Sequence, residues 1–204
     1  MKAEAISFLE TVVQCDPNDV EARVMLGWLY EYQRHDYDGA VAHLKAALSK
    51  NPQSAQAGFW LAKVYFHDGS RLELACQALE DVLRVHPDHV PSLSLLASVY
   101  CDLGERELAI EALERALELA PSWVSLHTEA AMRYADVGTW DVAAKHAAEA
   151  LRLAREFRKV SDSETYTYFE AAVTGRWVTD EDIARLKHEA ARAQRAAGAP
   201  QEDE

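Results

Sequence analysis

Apolar residues recur every three or four positions along most of the chain, which is the period of helices that bury one face. A clear example is LASVYCDLGERELAIEALERALELAP at residues 96–121. Two apolar stripes flank a turn at Gly104, and a proline closes the segment. Glycine permits the positive φ that commonly ends a helix, and proline cannot continue one. The pattern therefore predicts two helices joined by a short turn.

This two-helix pattern repeats along the chain. The prolines Pro17, Pro52, Pro87 and Pro121 are spaced 35, 35 and 34 residues apart. Aligning the chain on them produces columns of matching residues. One column places a small residue in each first helix, which we expect to let the second helix approach closely. The columns are Leu26-Gly27, Leu61-Ala62, Leu96-Ala97 and Ala130-Ala131; Tyr30, Tyr65, Tyr100 and Tyr134; Ala40, Ala75, Ala109 and Ala143; Leu44, Leu79, Leu113 and Ala147; and Ala47, Val82, Ala116 and Ala150.

These columns resemble the tetratricopeptide repeat (TPR), whose signature includes a Leu-Gly pair, a tyrosine, an alanine, an aromatic residue or leucine, and a proline. The resemblance implies an all-α fold, a right-handed superhelical array of helix-turn-helix repeats. The first two full repeats carry an extra residue in the central turn, and the fourth has Arg155 in place of its closing proline. The predicted array spans residues 1–159, with a half repeat at 3–17 and full repeats at about 20–53, 55–88, 90–122 and 124–155.

Beyond the array the repeat columns stop. SDSE at 161–164 has the form of a capping box, and TDED at 179–182 is typical of another helix start. Repeat arrays need atypical terminal elements to cover their last open face. We therefore expect capping helices at 160–198 and a solvated acidic tail at 199–204.

The net charge of −13 argues against nucleic-acid or anionic-membrane partners, because like charges repel. No apolar run approaches the roughly 20 residues of a membrane span, and the acidic N-terminal stretch is unlike a secretory signal. The cysteines at 15, 76 and 101 are odd in number and widely spaced, which favours thiols in a reducing compartment. A cytoplasmic location is expected.

No motif for catalysis, for a cofactor or for a metal is present: the chain lacks a phosphate-binding glycine loop, G-x-S-x-G, H-E-x-x-H and C-x-x-C. HPDH at 86–89 lies in an interrepeat turn, and no third ligand follows it at metal spacing. His127, His146 and His188 are expected at the surface, and Glu114 on a solvated acidic helix face. We therefore predict a protein that is not an enzyme.

The TPR resemblance also implies a binding surface, since the first helices of such arrays line a concave face that usually binds an extended peptide or a partner helix. Aromatic residues are concentrated in the first two full repeats, although Trp28 and Phe59 could instead pack between repeats. The candidate groove residues are Glu21, Val24, Trp28, Glu31, Tyr32, Phe59, Lys63, Phe66, Ser98, Asp102, Met132 and Asp136.

This surface predicts a protein-interaction scaffold or adaptor, with a partner that carries an apolar anchor and a basic flank. Chaperone-adaptor TPR domains clamp a terminal carboxylate with Lys, Asn and Arg residues. That set is missing here, since the matching places hold Val24, Trp28, Phe59, Lys63, Ser94 and Ser98. The alternative is a structural subunit of a larger complex or homo-oligomer, held through the array ends, and the oligomeric state stays open.

Overall fold

A computed structural model describes residues 2–160 of the chain and the isolated helical positions His188, Arg192 and Arg195. The chain divides into two compact units, Met1–Gly104 and Glu105–Glu204, here called the N-terminal and C-terminal units. The described residues form nine α-helices, one π-helical segment and no strand. The all-α prediction is confirmed for this part of the chain.

The N-terminal unit contains six α-helices, and consecutive helices pack against each other. In addition, the first helices of neighbouring repeats touch, α2 against α4 and α4 against α6. The helices are α1 (Lys2–Cys15), α2 (Val20–Leu29), α3 (Tyr37–Lys50), α4 (Ala55–Asp68), α5 (Leu72–Val85) and α6 (Val90–Leu103).

The C-terminal unit contains α7 (Arg106–Leu119), α8 (Val124–Asp136) and α9 (Trp140–Val160). Helix α7 packs on α8, and α8 packs on α9. Helix α9 continues past Arg155, where the earlier repeats have proline. The predicted cap at 160–198 and tail at 199–204 lie outside the described residues, apart from the three isolated positions.

The repeat columns form the core of each unit. The alanines of the second-helix column are buried, from Ala40 to Ala143, and so are Leu44, Leu79 and Leu113. A Cβ atom added to Gly27 would lie 2.5 Å from Leu44 Cγ. The small first-helix residue therefore admits a second-helix leucine. Close-packed interiors leave no room for both a Cβ and that leucine.

The extra residue of the first full repeat lengthens a helical turn. Tyr30–Arg34 is π-helical, and the His35 amide donates to the Tyr30 carbonyl, five residues earlier. A π turn holds one residue more than an α turn. His35 then ends the helix at φ 51°, a left-handed conformation.

The second full repeat places its extra residue outside the helix. Gly69 ends α4 at φ 71°, and Ser70 then separates it from Arg71, which precedes α5. In the third repeat Gly104 has φ 84° and is followed directly by Glu105, the residue before α7. The two insertions thus have different structural solutions at matching places in the repeat.

A tyrosine–carboxylate hydrogen bond recurs between a second helix and the next first helix. Tyr30 donates to Glu10 at 2.7 Å, and Tyr100 donates to Glu80 at 3.3 Å. Tyr134 makes the same bond to Glu114, which is exposed as expected and also serves as this acceptor. Each acceptor lies 20 residues before its tyrosine.

The remaining tyrosine of the column, Tyr65, has a lysine in place of the carboxylate. Lys45 precedes Tyr65 by the same spacing, and its Nζ lies 5.9 Å from the centroid of that ring. Burial, followed by the bond to the carboxylate, raises the pKa of Tyr134 to about 12. The Tyr134 hydroxyl therefore remains a protonated donor at neutral pH.

The alanine column provides a direct test of close packing. Ala40→Leu should lower the free energy of unfolding by about 1–3 kcal/mol, because added methylenes overpack a filled core. Ala42→Leu makes the same change at an exposed position of α3 and should alter stability by less than about 0.5 kcal/mol. Chemical denaturation of both variants measures the difference. Equal stabilities would contradict the assignment of Ala40 to the packed column.

Candidate functional site

The first helices of the N-terminal unit share one exposed stripe. On α2 the stripe has spacings of four, three and four residues, which keeps its members on one side of a helix. Moving by 35 residues gives the matching stripe on α4, and again on α6. We call these twelve positions the first-helix face: Glu21, Met25, Trp28 and Tyr32; Gln56, Trp60, Lys63 and His67; Pro91, Leu95, Ser98 and Asp102. All of them are exposed or half-buried.

Aromatic rings form a continuous cluster on this face. Trp28 and Tyr32 stack with a centroid separation of 5.6 Å and an interplanar angle of 12°. Trp60 lies next to them, 6.3 Å from Trp28. Trp28 is 39% exposed and Tyr32 is 58% exposed. We call Trp28, Tyr32 and Trp60 the aromatic patch.

The inner edge of the patch continues into the core. Phe59 contacts Trp60 edge-on at 5.6 Å and His89 edge-on at 5.9 Å. Phe59 and Phe66 are half-buried and pack against the core cluster of the N-terminal unit. Phe59 therefore supports Trp60 of the patch, and both phenylalanines are less exposed to a partner than Trp28 is.

A small polar network lies beside the aromatic patch. The Lys63 ammonium is 4.8 Å from the centroid of the Trp60 ring. Burial lowers the pKa of Lys63, while the Glu31 carboxylate opposes that shift. Glu31 is only 8% exposed and is hydrogen-bonded to Nδ1 of His67. The carboxylate thus has a partner on the neighbouring repeat.

Two of the predicted groove residues do not lie on the exposed face. Val24 is 2% exposed and belongs to the core cluster, and Glu31 is buried. Val24 lies three residues before Gly27 and Glu31 lies four residues after it, so both share the side of the helix on which Gly27 faces Leu44. Placing these two side chains in an open groove was wrong, because that side of the helix points into the protein.

Other predicted positions lie on the first-helix face, namely Glu21, Trp28, Tyr32, Lys63, Ser98 and Asp102. Sequence reasoning missed Met25, which is 46% exposed, and also Trp60 and Leu95. The signal for them was available. Met25 precedes Trp28 by one turn, and a shift of 35 residues from Met25 reaches Trp60 and then Leu95.

Met132 and Asp136 belong to the C-terminal unit, where they line a cavity of about 200 Å³ together with Trp140 and Arg192. The Arg192 guanidinium lies 5.1 Å from the centroid of the Trp140 ring. Asp136 accepts a hydrogen bond from Arg133 Nη1 at 3.0 Å. These two predicted groove residues thus have neighbours within their own unit.

The histidines of the C-terminal unit correct another expectation. His127 is buried, not at the surface, and its Nε2 donates to the Pro121 carbonyl at 3.0 Å. Its Nδ1 lies 3.0 Å from Nδ1 of His146, on which Tyr134 stacks at 5.6 Å. Since Nε2 carries the hydrogen of neutral His127, its Nδ1 accepts and His146 donates. Burial, followed by repulsion from His127, lowers the pKa of His146.

The HPDH turn has ordinary hydrogen bonds. His86 Nε2 lies 2.7 Å from the Gln53 carbonyl, and His89 Nδ1 lies 2.7 Å from Ser92 Oγ. Within the described residues, no three metal-ligating side chains come together. None of the helices in that part of the chain combines the length and apolar character needed to cross a membrane.

Comparisons with known proteins agree with this architecture. The family model for anaphase-promoting complex, cyclosome, subunit 3 matches residues 33–116, and it is of the TPR type. The solved structure of YrrB, described as a TPR protein with an unusual peptide-binding site, matches with a TM-score of 0.62 over 92% of each chain. This chain has the TPR fold. YrrB is 19% identical to it, so that likeness concerns the fold alone.

Two further relatives of this TPR protein are closer in sequence. The crystal structure of MamA matches with a TM-score of 0.67 and 26% identity, over 76% of this chain and 89% of MamA. The cytochrome c-type biogenesis protein CycH of Pseudomonas aeruginosa is 32% identical over 94 residues. That match spans 46% of the TPR protein but only 23% of CycH. TPR modules are generally non-catalytic and bind other proteins.

The histidine pair predicts acid sensitivity of the TPR protein. Because the folded state lowers the pKa of His146, the unfolded state binds more protons below the ordinary value of 6.5. Stability is therefore complete above that pH and falls as the pH drops towards the folded-state pKa. Burial also lowers the pKa of His43 and of His89, which adds to the same trend.

Urea denaturation between neutral and mildly acidic pH measures this effect. His146→Gln should make the pH dependence shallower, since one titrating group is removed. The same substitution at the exposed His188 should leave the dependence as it is in the wild type. An unchanged slope in His146→Gln would show that the pair does not control acid stability.

Proposed function

We propose that this TPR protein is a non-enzymatic scaffold that binds a partner protein on the first-helix face of its N-terminal unit. The observation that carries the proposal is the aromatic patch, with Trp28 and Tyr32 stacked yet largely exposed. Exposed apolar patches on folded proteins commonly mark interaction sites. Tryptophan and tyrosine are also enriched among the residues that contribute most to binding free energy.

The shape and charge of the face favour an extended peptide or a helix as the partner. The patch and Met25 offer contact to an apolar anchor. The repeat spacing places matching positions of the face on three first helices, α2, α4 and α6. Glu21 and Asp102 are exposed members of the first-helix face, and the whole chain has a net charge of −13. Basic residues that flank the anchor would gain modest, salt-sensitive attraction there.

A terminal carboxylate is a poor fit to the same face. Val24, at one of the places where a carboxylate clamp needs a polar side chain, is buried in the core. Lys63 is half-buried against Trp60 and is paired electrostatically with Glu31. We therefore propose a basic rather than an acidic ligand segment.

A second candidate function rests on the N-terminal helix. Phe8 on α1 is 68% exposed, while Ile6, Leu9 and Val13 pack on the other side of the helix against the α2 core. An exposed phenylalanine on a half repeat is compatible with assembly into a larger complex through that end. In this case Phe8, and not the aromatic patch, would contribute the binding free energy.

Affinity purification with the full chain from native lysate separates the two functions. Trp28→Ala should weaken capture of the partner more than tenfold, since truncation of an aromatic anchor costs about 2 kcal/mol or more. Ser98→Ala, on the same face, should change capture by less than about twofold. Circular dichroism verifies that both variants stay helical. Capture that survives Trp28→Ala and fails with Phe8→Ala would favour assembly through α1 and reject the first-helix face.

A further inference from the structure

We infer that the stacked pair Trp28–Tyr32 binds an arginine or lysine side chain of the partner, so that the anchor of the complex is a cation–π contact. The inference rests on the proposed function and specifies the chemistry of that site. Trp28 and Tyr32 lie nearly parallel, with 12° between their planes. Their exposure leaves aromatic surface available to a ligand. Indole is the strongest cation-binding ring among the side chains, because the ring quadrupole places negative charge on its face.

The first-helix face already contains one contact of this kind. Lys63 places its ammonium 4.8 Å from the centroid of Trp60, within the roughly 6 Å at which cation–π attraction is significant. Lys63 keeps that position although burial lowers its pKa. Trp28 is adjacent to Trp60 at 6.3 Å. An incoming cation on the Trp28–Tyr32 pair would therefore extend a mode of contact that the protein itself uses one repeat further on.

Charge on the face favours a second cation in spite of Lys63. The face carries Glu21, Asp102 and Lys63, and the buried Glu31 carboxylate acts on Lys63 from within the protein; with His67 neutral these four groups sum to −2. Glu31 is buried and acts on Lys63 directly, so it offsets the repulsion that the ammonium would exert on a ligand. Exposed Glu21 and Asp102 remain to attract the partner.

An arginine or lysine side chain fits this environment better than a purely apolar anchor. Its methylene stem can cover Met25 while its charged end stays over the rings. An apolar anchor would also cover Met25 and Trp28, but it would remove water from the nearby carboxylates without pairing them. Nucleic-acid bases stack on aromatic rings as well, yet their phosphates would meet the negative charge of the face and of the chain. The occupant is therefore a basic segment of another protein.

A random linear peptide library, selected on the full-length protein, tests the inference. Peptides that also bind the Trp28→Ala/Tyr32→Ala double variant are removed by counter-selection, so those that remain depend on the pair. In each remaining peptide, every arginine is replaced in turn by citrulline and every lysine by acetyl-lysine, which keep the side-chain stem and remove the charge. Affinities are then measured for the wild type and for Trp28→Leu, which keeps apolar area but loses the aromatic ring.

The expected result is one arginine or lysine position at which removal of the charge weakens binding by about 3- to 30-fold. In Trp28→Leu the same replacement should change binding by less than about twofold, since the two changes remove one shared contact. Peptides that need the pair but lack a basic anchor, or that tolerate every such replacement, overturn the inference and leave the proposed function standing. If no selected peptide depends on the pair, both the inference and the proposed site fail.

Discussion

The contact between the two helices of a repeat is the constraint on which the first-helix face depends. At Gly27 the absence of a side chain lets Leu44 sit where a Cβ would lie only 2.5 Å from its Cγ. That contact fixes the rotation of α2 about its own axis. Val24, which follows the same line of the helix, is then directed into the core, and Trp28 is directed outward. Exposure of the aromatic patch is thus a consequence of core packing.

Neighbouring repeats are joined by a second recurring interaction. A first-helix tyrosine donates to a carboxylate 20 residues earlier, as Tyr30 does to Glu10. Hydrogen bonds to charged acceptors are stronger than neutral ones, so each bond helps to set the register of one repeat on the next. Lys45 beneath the Tyr65 ring keeps a contact at the matching place without a carboxylate. The tyrosine column therefore serves both to fill space and to join repeats.

Periodicity predicted the helices and buried columns because both follow from a local spacing of apolar residues that recurs in every repeat. The errors share a different cause. Glu31 and His127 are polar, and polar helix residues are usually exposed. Their burial depends on His67 and His146, which come from other helices. No local pattern reveals such a partner. The extra residue of the first full repeat was visible, but its accommodation in a π turn was not, since Ser70 in the next repeat solves the same problem differently.

The polar network beside the aromatic patch supports a functional role for that surface more strongly than exposure of the rings alone would. Holding the Glu31 carboxylate away from water costs free energy, which its contacts with His67 and Lys63 offset. A valine or leucine at this position would pack with less desolvation. Local choices that oppose stability are expected mainly at functional sites. On the cation–π proposal, the buried Glu31 charge and the exposed rings of Trp28 and Tyr32 act together at one surface that receives a cationic side chain.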